Sequence, residues 1–281
     1  MGTVEGIFTL DNQSVVRGTH INHLSRKEGV VWVVDGESKV HREATVVASG
    51  PSGIQLNCIQ PYHETAWVGA SEARLYEIEG EALVEDEFFA AAPGRASWHT
   101  PWGGPPDVRS MAVDADGTLY VNVHVGGILR YDDTGLAATV DIESDVHQVV
   151  AHPDREGVVL AASAIGLGQS GDGHDFEFRT EGLEDIYCRA VAVAGDTVIV
   201  SASQGPRGGG AALYRAALDG GAFSRCRTGL PESFQGNLDT HCLLAAGGAW
   251  YAANEGTVWV SDDGENWKTA AAGLPRITCL G

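Results

Sequence analysis

The sequence predicts an all-β fold, a β-propeller formed by residues 1–281 as a single domain. Three observations support this prediction. Short apolar runs recur about every 40 residues, an aspartate–glycine turn recurs at a similar spacing, and helical periodicity is absent nearly everywhere. Units of roughly 40 residues that contain four short strands each are typical of propeller blades.

The apolar runs are the predicted innermost strands of the blades. They occupy residues 21–24, 56–59, 108–111, 146–149, 188–191, 240–243 and 277–280. Seven runs predict seven blades, and six is the alternative count. The last run ends the chain, and the N-terminal residues supply strands ahead of the first complete unit. We therefore expect both termini to build one blade together and so close the ring.

The aspartate–glycine turns occur in three segments that align without a gap, residues 170–184, 217–231 and 261–275. In each segment an aromatic residue stands at the third position after the glycine. The motif residues are Ser170, Asp172, Gly173 and Phe176 in the first segment, Asp219 in the second, and Ser261, Asp263, Gly264 and Trp267 in the third. A weaker copy lies at residues 130–135.

These turns resemble the Asp-box (BNR) repeat of sialidases and related propellers, in its shorter Ser-x-Asp-Gly-x-x-Trp form. The resemblance implies that each box lies between the third and fourth strands of a blade, on the face opposite the ligand site. The residue types favour a structural role. Aspartate accepts hydrogen bonds from the N–H groups that follow it, glycine permits positive φ, and the aromatic ring packs between sheets. We therefore assign these aspartates to turns rather than to catalysis.

The charge and the cysteines of the chain limit its partners and its compartment. With 38 acidic and 18 basic residues, the formal net charge is −20, which repels nucleic acid and anionic membranes. No apolar segment has the length of a signal-peptide core or a membrane span. The five cysteines show no C-x-x-C spacing, and four of them lie inside apolar runs, which predicts buried free thiols; these are Cys58, Cys188, Cys242 and Cys279. We expect a cytoplasmic protein, with a secreted form made without its leader as the alternative.

Polar residues stand at the second position of all seven apolar runs. The loops into the innermost strands and the loops between second and third strands open on one face of a propeller, where ligands usually bind. The seven residues, which we call the polar ring, are Asn22, Asn57, Arg109, His147, Arg189, His241 and Thr278. The sequence therefore predicts a polar site at the mouth of the central channel, with Asn22 and Asn57 among its ligand-binding residues.

The charged members of the polar ring are the candidate catalytic residues. Arg109 and Arg189 could hold a carboxylate or phosphate by paired hydrogen bonds. His147 and His241 could act as general acid and base, or they could ligate a divalent metal ion in the channel. The alternative interpretation is that the ring residues only hydrogen-bond to one another, to backbone carbonyls and to channel water.

A long loop at residues 92–108 could add an aromatic surface to the same face. It contains Trp98, His99 and Trp102. Exposed tryptophans on this loop would stack on a sugar ring or an aromatic ligand. The alternative is that the tryptophans pin the loop into the blade below.

Other polar residues on this face are predicted from their positions in the repeat. His124 and Asn254 occupy equivalent places in loops between second and third strands, and Glu255 follows Asn254. Asp239 precedes His241 by two residues and could orient its imidazole, although ordinary loop polarity also explains it. All four are candidate ligand-binding residues.

These features predict a protein that binds or converts a small molecule or a carbohydrate, with hydrolase or lyase chemistry that could use a divalent metal. A classical sialidase is disfavoured, because such an enzyme needs three arginines and a tyrosine nucleophile. The polar ring contains two arginines and no tyrosine. The alternatives are a non-catalytic propeller that binds or assembles other proteins, and a carbohydrate-binding module without turnover.

Overall fold

The protein is almost entirely β-structure in the computed structural model, which describes residues 1–101, 103–132, 135–140 and 142–281. The helical segments are short. They are one α-helical turn, α1 (Glu87–Ala90), and 3-10 turns at Ser71–Ala73, Arg95–Ser97 and Ile142–Ser144. No helix among the described residues has the length and apolar character that crossing a bilayer requires. The predicted all-β class is therefore confirmed.

The strands are short and follow one another in groups. The first eleven are β1 (Gly2–Thr3), β2 (Gly6–Phe8), β3 (Ser14–Arg17), β4 (Ile21–Lys27), β5 (Val30–Asp35), β6 (Lys39–Arg42), β7 (Thr45–Ser49), β8 (Leu56–Tyr62), β9 (Thr65–Ala70), β10 (Arg74–Glu79) and β11 (Ala82–Glu85). The next eight are β12 (Val108–Val113), β13 (Leu119–Val123), β14 (Gly127–Asp132), β15 (Gly135–Val140), β16 (Val146–Ala151), β17 (Val159–Ser163), β18 (Gly166–Ser170) and β19 (Glu177–Arg179). The last nine are β20 (Tyr187–Ala194), β21 (Thr197–Ser203), β22 (Ala212–Ala217), β23 (Gly220–Arg225), β24 (Leu243–Ala246), β25 (Ala249–Asn254), β26 (Thr257–Ser261), β27 (Trp267–Ala271) and β28 (Ile277–Cys279).

Four consecutive strands form each antiparallel unit. Four separate sheets have the orders β12-β13-β14-β15, β16-β17-β18-β19, β20-β21-β22-β23 and β24-β25-β26-β27. A fifth sheet combines both ends of the chain in the order β28-β1-β2-β3, with Gly2 paired to Cys279. The two termini therefore share one sheet, and its β28 contacts β4 and β25 of the sheets on either side.

The remaining sheet has eight strands. Its two antiparallel halves, β4–β7 and β8–β11, are joined by one parallel bridge between Ser49 and Ala82. The halves also pack against each other, since Trp32 and Val34 share a buried cluster with Val68. Five four-stranded blades are separate sheets, so the predicted count of seven is not confirmed and stays a prediction.

Both faces of each sheet are covered by neighbouring sheets, which explains the composition of the strands. The second strands β13 and β17 are buried at every residue, and they read as continuous apolar runs rather than as alternating ones. Between neighbouring sheets the apolar side chains interdigitate. Leu160 and Leu167, for example, pack with Val191 and Tyr214 in one cluster. All five cysteines are free and buried in this packing.

The third segment with the aspartate–glycine motif forms the predicted turn between β26 and β27. The Asp263 carboxylate accepts hydrogen bonds from the N–H groups of Glu265 and Asn266, both at 2.8 Å, and the Ser261 hydroxyl accepts one from Gly264 at 2.9 Å. These N–H donors hold the pKa of Asp263 well below its ordinary value. The Asp263 carboxylate therefore has a structural role within the turn.

The other motif segments differ in how closely they follow this geometry. Asp172, between β18 and β19, accepts the same pair of N–H bonds, which lower its pKa to about 2. Trp267 is buried and Phe176 is partly buried, as an aromatic wedge requires. Asp219 instead contacts Arg155 at 3.4 Å. In the weakest copy, residues 133 and 134 lie outside the described residues, and the family assignment stays a prediction.

Candidate functional site at the channel mouth

Four residues of the polar ring bind neighbouring innermost strands together. Each donates a side-chain hydrogen bond to the carbonyl of the residue that begins the next apolar run. The pairs are Asn22 with Leu56 at 2.6 Å, Asn57 with Val108 at 3.3 Å, His147 with Cys188 at 2.6 Å, and Thr278 with Ile21 at 2.6 Å. We call these four bonds the inter-strand belt. Asn22, Asn57 and Thr278 therefore have a structural role, which is the alternative interpretation of the ring.

His241 does not begin a strand, because β24 starts two residues later. Its backbone lies in the left-handed region with φ of 66°. Its Nε2 lies 3.1 Å from the carbonyl oxygen of Arg109, its ring stacks on His23 at 3.8 Å, and its N–H donates to Gln148 Oε1 at 3.3 Å. These partners lie on β12, β4 and β16, none of which neighbours β24 in the ring.

Residues 240–241 therefore close the centre of the ring, and we call them the plug. The Thr240 hydroxyl contributes by donating to the His147 carbonyl at 3.2 Å. Burial and the neighbouring His241 hold the pKa of His23 well below its ordinary value, and burial lowers the pKa of His241 to about 4. Both imidazoles are neutral near pH 7, which permits their close stacking.

The belt is interrupted at the two arginines of the ring. Arg189 places Nη2 3.0 Å from Asp239 Oδ1, and this carboxylate is 58% exposed. No ion pair or hydrogen bond joins the Arg109 guanidinium to any other residue that the structure describes. Burial and the nearby Arg189 charge lower the pKa of Arg109. The mouth therefore has two close cations, of which Arg189 is ion-paired to an exposed carboxylate, while Asp107 and Asp145 act on Arg109 only at longer range.

Asp239 therefore does not orient His241, contrary to the prediction from the sequence. Its carboxylate pairs with Arg189, while the imidazole of His241 bonds to a backbone carbonyl. The physical reason is the left-handed backbone at His241, which turns its side chain into the ring and away from Asp239.

A second acidic residue, Asp145, lies between two buried histidines. Its Oδ1 is 2.9 Å from His124 Nε2, and its Oδ2 is 3.6 Å from His147 Nε2. The side chains are 4% exposed for His124 and 0% for His147. Burial alone would raise the pKa of Asp145, but the two histidines outweigh it and hold that pKa well below its ordinary value.

Asp145 is the functional candidate that the sequence prediction missed. Its φ of 45° is left-handed, and Val125 beside His124 has φ of 56°, which is rare for a β-branched residue. Such strain is concentrated at functional sites. A signal exists in the sequence, because an aspartate stands two residues before a charged ring member at 107–109, 145–147 and 239–241.

The structure brings together a different set of potential metal ligands from the predicted pair, His147 and His241. Among the described residues, the group with mutually close ligand atoms is His124, Asp145 and His147. His241 belongs to the plug, where His23 and the Arg109 carbonyl surround its ring.

The aromatic loop does not present Trp98 to a ligand. Trp98 is buried against Phe89, with ring centroids 5.8 Å apart, and the Arg95 guanidinium lies 5.3 Å from its ring. The neighbouring His99 is exposed, and its Nδ1 bonds to the Ser97 carbonyl at 2.7 Å. This is the geometry of a loop pinned into the blade. Trp102 lies outside the described residues.

The remaining predicted residues support loops. The Asn254 amide donates to the carbonyls of Gln235 and Asn237, both at 3.0 Å, and so holds the long loop before the plug. The Glu255 carbonyl accepts the N–H of Ile277 at 2.6 Å. Two surface cavities, of about 500 and 350 Å³, are lined by residues outside the polar ring, such as Arg17 and Arg227.

Comparison with solved structures agrees with this architecture. Virginiamycin B lyase from Staphylococcus aureus superposes with a TM-score of 0.64 at 10% identity, over 90% of this chain and 85% of the lyase. A catalytically inactive variant of that lyase, with quinupristin, gives 0.63 at 11% identity, over 90% and 84%. The WD40 propeller domain of Doa1 gives 0.60 at 16% identity, over 90% and 83%.

The chain is a β-propeller. The identities to these structures are so low that the likeness concerns the fold alone. No family model matches the sequence, and no curated protein matches it.

Proposed function

We propose that this propeller binds a small anionic molecule at the mouth of its channel, between Arg109 and Arg189. The observation that carries the proposal is the Arg109 guanidinium, which is partly buried and has no carboxylate partner among the described residues. A partly buried guanidinium without an ion-paired carboxylate is unfavourable, and a second cation beside it adds to the free-energy cost, which the longer-range charges of Asp107 and Asp145 offset only in part. A carboxylate or phosphate between the two guanidiniums removes both costs.

The inter-strand belt supports this interpretation of the two arginines. Asn22, Asn57, His147 and Thr278 use their side chains to join strands, whereas Arg109 and Arg189 interrupt that pattern. Amides or hydroxyls at these two positions would complete a structural ring at a lower free-energy cost of burial. Planar guanidiniums are instead suited to bidentate recognition of oxyanions.

The chemistry that we propose for the bound molecule is of the lyase or hydrolase type. Arginines that neutralise a substrate carboxylate stabilise negative charge that develops next to it. The structural likeness to a lyase supports this choice only by showing that the fold accommodates such chemistry. The likeness to a WD40 domain supports protein binding as the second candidate.

We also propose that the ring has seven blades, that the chain is an Asp-box propeller and that it is cytoplasmic. We count the two halves of the eight-stranded sheet as separate blades, because a hydrophobic cluster lies between their faces and one bridge joins their edges. This division makes seven blades of four strands. The two aspartate turns at Asp172 and Asp263 support membership among Asp-box propellers, and the five buried free thiols support a cytoplasmic location.

Titration calorimetry with inorganic phosphate and with small dicarboxylates tests the anion site. We expect saturable binding that weakens with added salt and drops about tenfold or more in Arg109→Gln and Arg189→Gln. Arg155→Gln is the matched control, because Arg155 lies in the turn between β16 and β17 on the opposite face. This variant should bind the anions as the wild type does. Equal affinity of wild type and Arg109→Gln would contradict the proposal, as would the absence of binding by every probe.

A further inference from the structure

We propose that His124, Asp145 and His147 bind one divalent transition-metal ion, with Zn²⁺ as the representative ion. His124 lies in the loop after β13, Asp145 directly precedes β16, and His147 is the second residue of β16. Their ligand atoms all lie within 4.8 Å of one another. Two imidazoles and one carboxylate form a donor set that Zn²⁺ and related first-row ions prefer.

The distances within the cluster fit tetrahedral coordination. Ligand atoms at about 2.0–2.2 Å from a tetrahedral Zn²⁺ lie about 3.3–3.5 Å from each other. The two separations from Asp145, 2.9 Å to His124 and 3.6 Å to His147, fall on either side of that value. Small side-chain adjustments therefore bring the carboxylate and both imidazoles into coordination.

The hydrogen bond on the far side of His147 orients it as a metal ligand. Its Nδ1 lies 2.6 Å from the Cys188 carbonyl oxygen, and a carbonyl can only accept, so Nδ1 carries the proton. In the neutral imidazole, Nε2 then presents a lone pair toward the Asp145 carboxylate, which is also an acceptor. Metal-ligating histidines typically bond their other nitrogen to a carbonyl in this way.

The Nε2 atom of His147 is also a buried polar atom without a hydrogen-bond partner. The side chain is fully buried, and this nitrogen has no hydrogen-bond partner in the structure as described. A lone pair held against a carboxylate inside a protein is unfavourable unless a proton or a metal ion lies between them. A metal ion at this point would satisfy both acceptors.

Three protein ligands leave one tetrahedral position open. Catalytic zinc sites share this arrangement, and the open position takes water or substrate. The Asp145 carboxylate is 29% exposed and interacts electrostatically with Arg109. An anion held by the arginines could complete the coordination, but metal binding itself does not depend on the anion site.

Metal titration of the chelator-treated protein tests the site. We expect Zn²⁺ to bind with a stoichiometry of one and to raise the melting temperature, since an ion that binds only the native state stabilises it. Co²⁺ should give the intense visible absorption of tetrahedral coordination. If neither ion binds stoichiometrically to the wild-type protein, the proposal is wrong, whatever the variants show.

Matched substitutions locate the bound ion. Asp145→Asn should weaken Zn²⁺ binding by about 100-fold or more, whereas Asp239→Asn, at the same mouth, should bind as wild type does. His124→Gln and His99→Gln form a second pair of the same design. Far-UV circular dichroism identifies any variant that fails to fold. Normal binding by a folded Asp145→Asn would overturn the assignment.

The arginine variants separate this proposal from the anion site. Arg109→Gln should keep Zn²⁺ binding and lose the binding of phosphate. If Arg109→Gln binds both normally, the anion proposal fails while the metal site stands. If the wild type binds phosphate but not Zn²⁺, the metal proposal fails while the anion site stands.

Discussion

At the scale of single residues, the same polar ring serves two purposes. Asn57 and Thr278 satisfy backbone carbonyls of the next innermost strand, while Arg109 and Arg189 lack that role. His241 differs from both groups, because its left-handed backbone carries its ring into the centre of the propeller. Position in the repeat therefore does not determine the role of a ring residue, whereas its hydrogen-bond partners do.

The plug makes His241 important for stability. His241→Ala removes the stacking on His23 and the bond to the Arg109 carbonyl, and it leaves a polar void in the ring. We expect a loss of about 2–4 kcal/mol in the free energy of unfolding, measured by urea denaturation. The exposed His99, replaced by alanine, should change this free energy by less than about 0.5 kcal/mol. A fully stable His241→Ala would show that the plug is dispensable.

At the scale of elements, the sheet shared by the two termini is the least self-sufficient unit. Its strand β28 comes from the far end of the chain and contributes three residues that pair with β1. Cys279 and Ile277 of this strand are buried against neighbouring sheets. The unit can therefore form only after the rest of the ring has brought the chain ends together, which costs loop-closure entropy.

Removal of β28 should consequently destabilise the whole ring. Deletion of residues 276–281 exposes an edge of β1 and uncovers the clusters on both sides. We expect a decrease of more than about 10 °C in the melting temperature, followed by circular dichroism. Deletion of the exposed Gly281 alone is the control and should leave the melting temperature within about 2 °C of the wild-type value. An unchanged melting temperature in the longer deletion would show that the ring does not need this closure.

At the scale of the whole molecule, the strong negative charge and the buried histidines make stability depend on pH. The pKa of His241 falls to about 4 in the folded protein, and that of His23 is also lowered, while histidines of the unfolded chain titrate near 6.5. A lowered folded-state pKa means that the unfolded chain binds more protons. The stabilising contribution is complete above about pH 6.5 and is lost as the pH falls toward 4.

We therefore expect the free energy of unfolding to fall between about pH 6.5 and pH 4, by up to about 1.4 kcal/mol for each unit of pKa difference per histidine. Denaturation at a series of pH values measures this slope. His241→Asn should reduce the slope, and His99→Gln should leave it unchanged. A slope that is equal in wild type and His241→Asn would assign the acid sensitivity to other groups, such as the turn carboxylates.

The sequence by itself determined the fold class, six of the seven innermost strands and the aspartate turns at Asp172 and Asp263. These features are local or periodic: apolar runs recur at one spacing, and Asp263 bonds to N–H groups only two and three residues away. Pairing of the two chain ends also followed from counting runs. Local interactions and repeats can be recognised without coordinates, because their partners are close in sequence or equivalent in position.

Only the tertiary structure decided which polar residues meet. Asp145 contacts His124, 21 positions earlier in the sequence, because two loops converge on one face and because the left-handed backbone of Asp145 aims its carboxylate inward. The stacking of His23 on His241 joins residues from two distant units. The direction of a side chain depends on φ, on strand register and on packing around the ring, and a single sequence does not specify these quantities at the accuracy that a site requires.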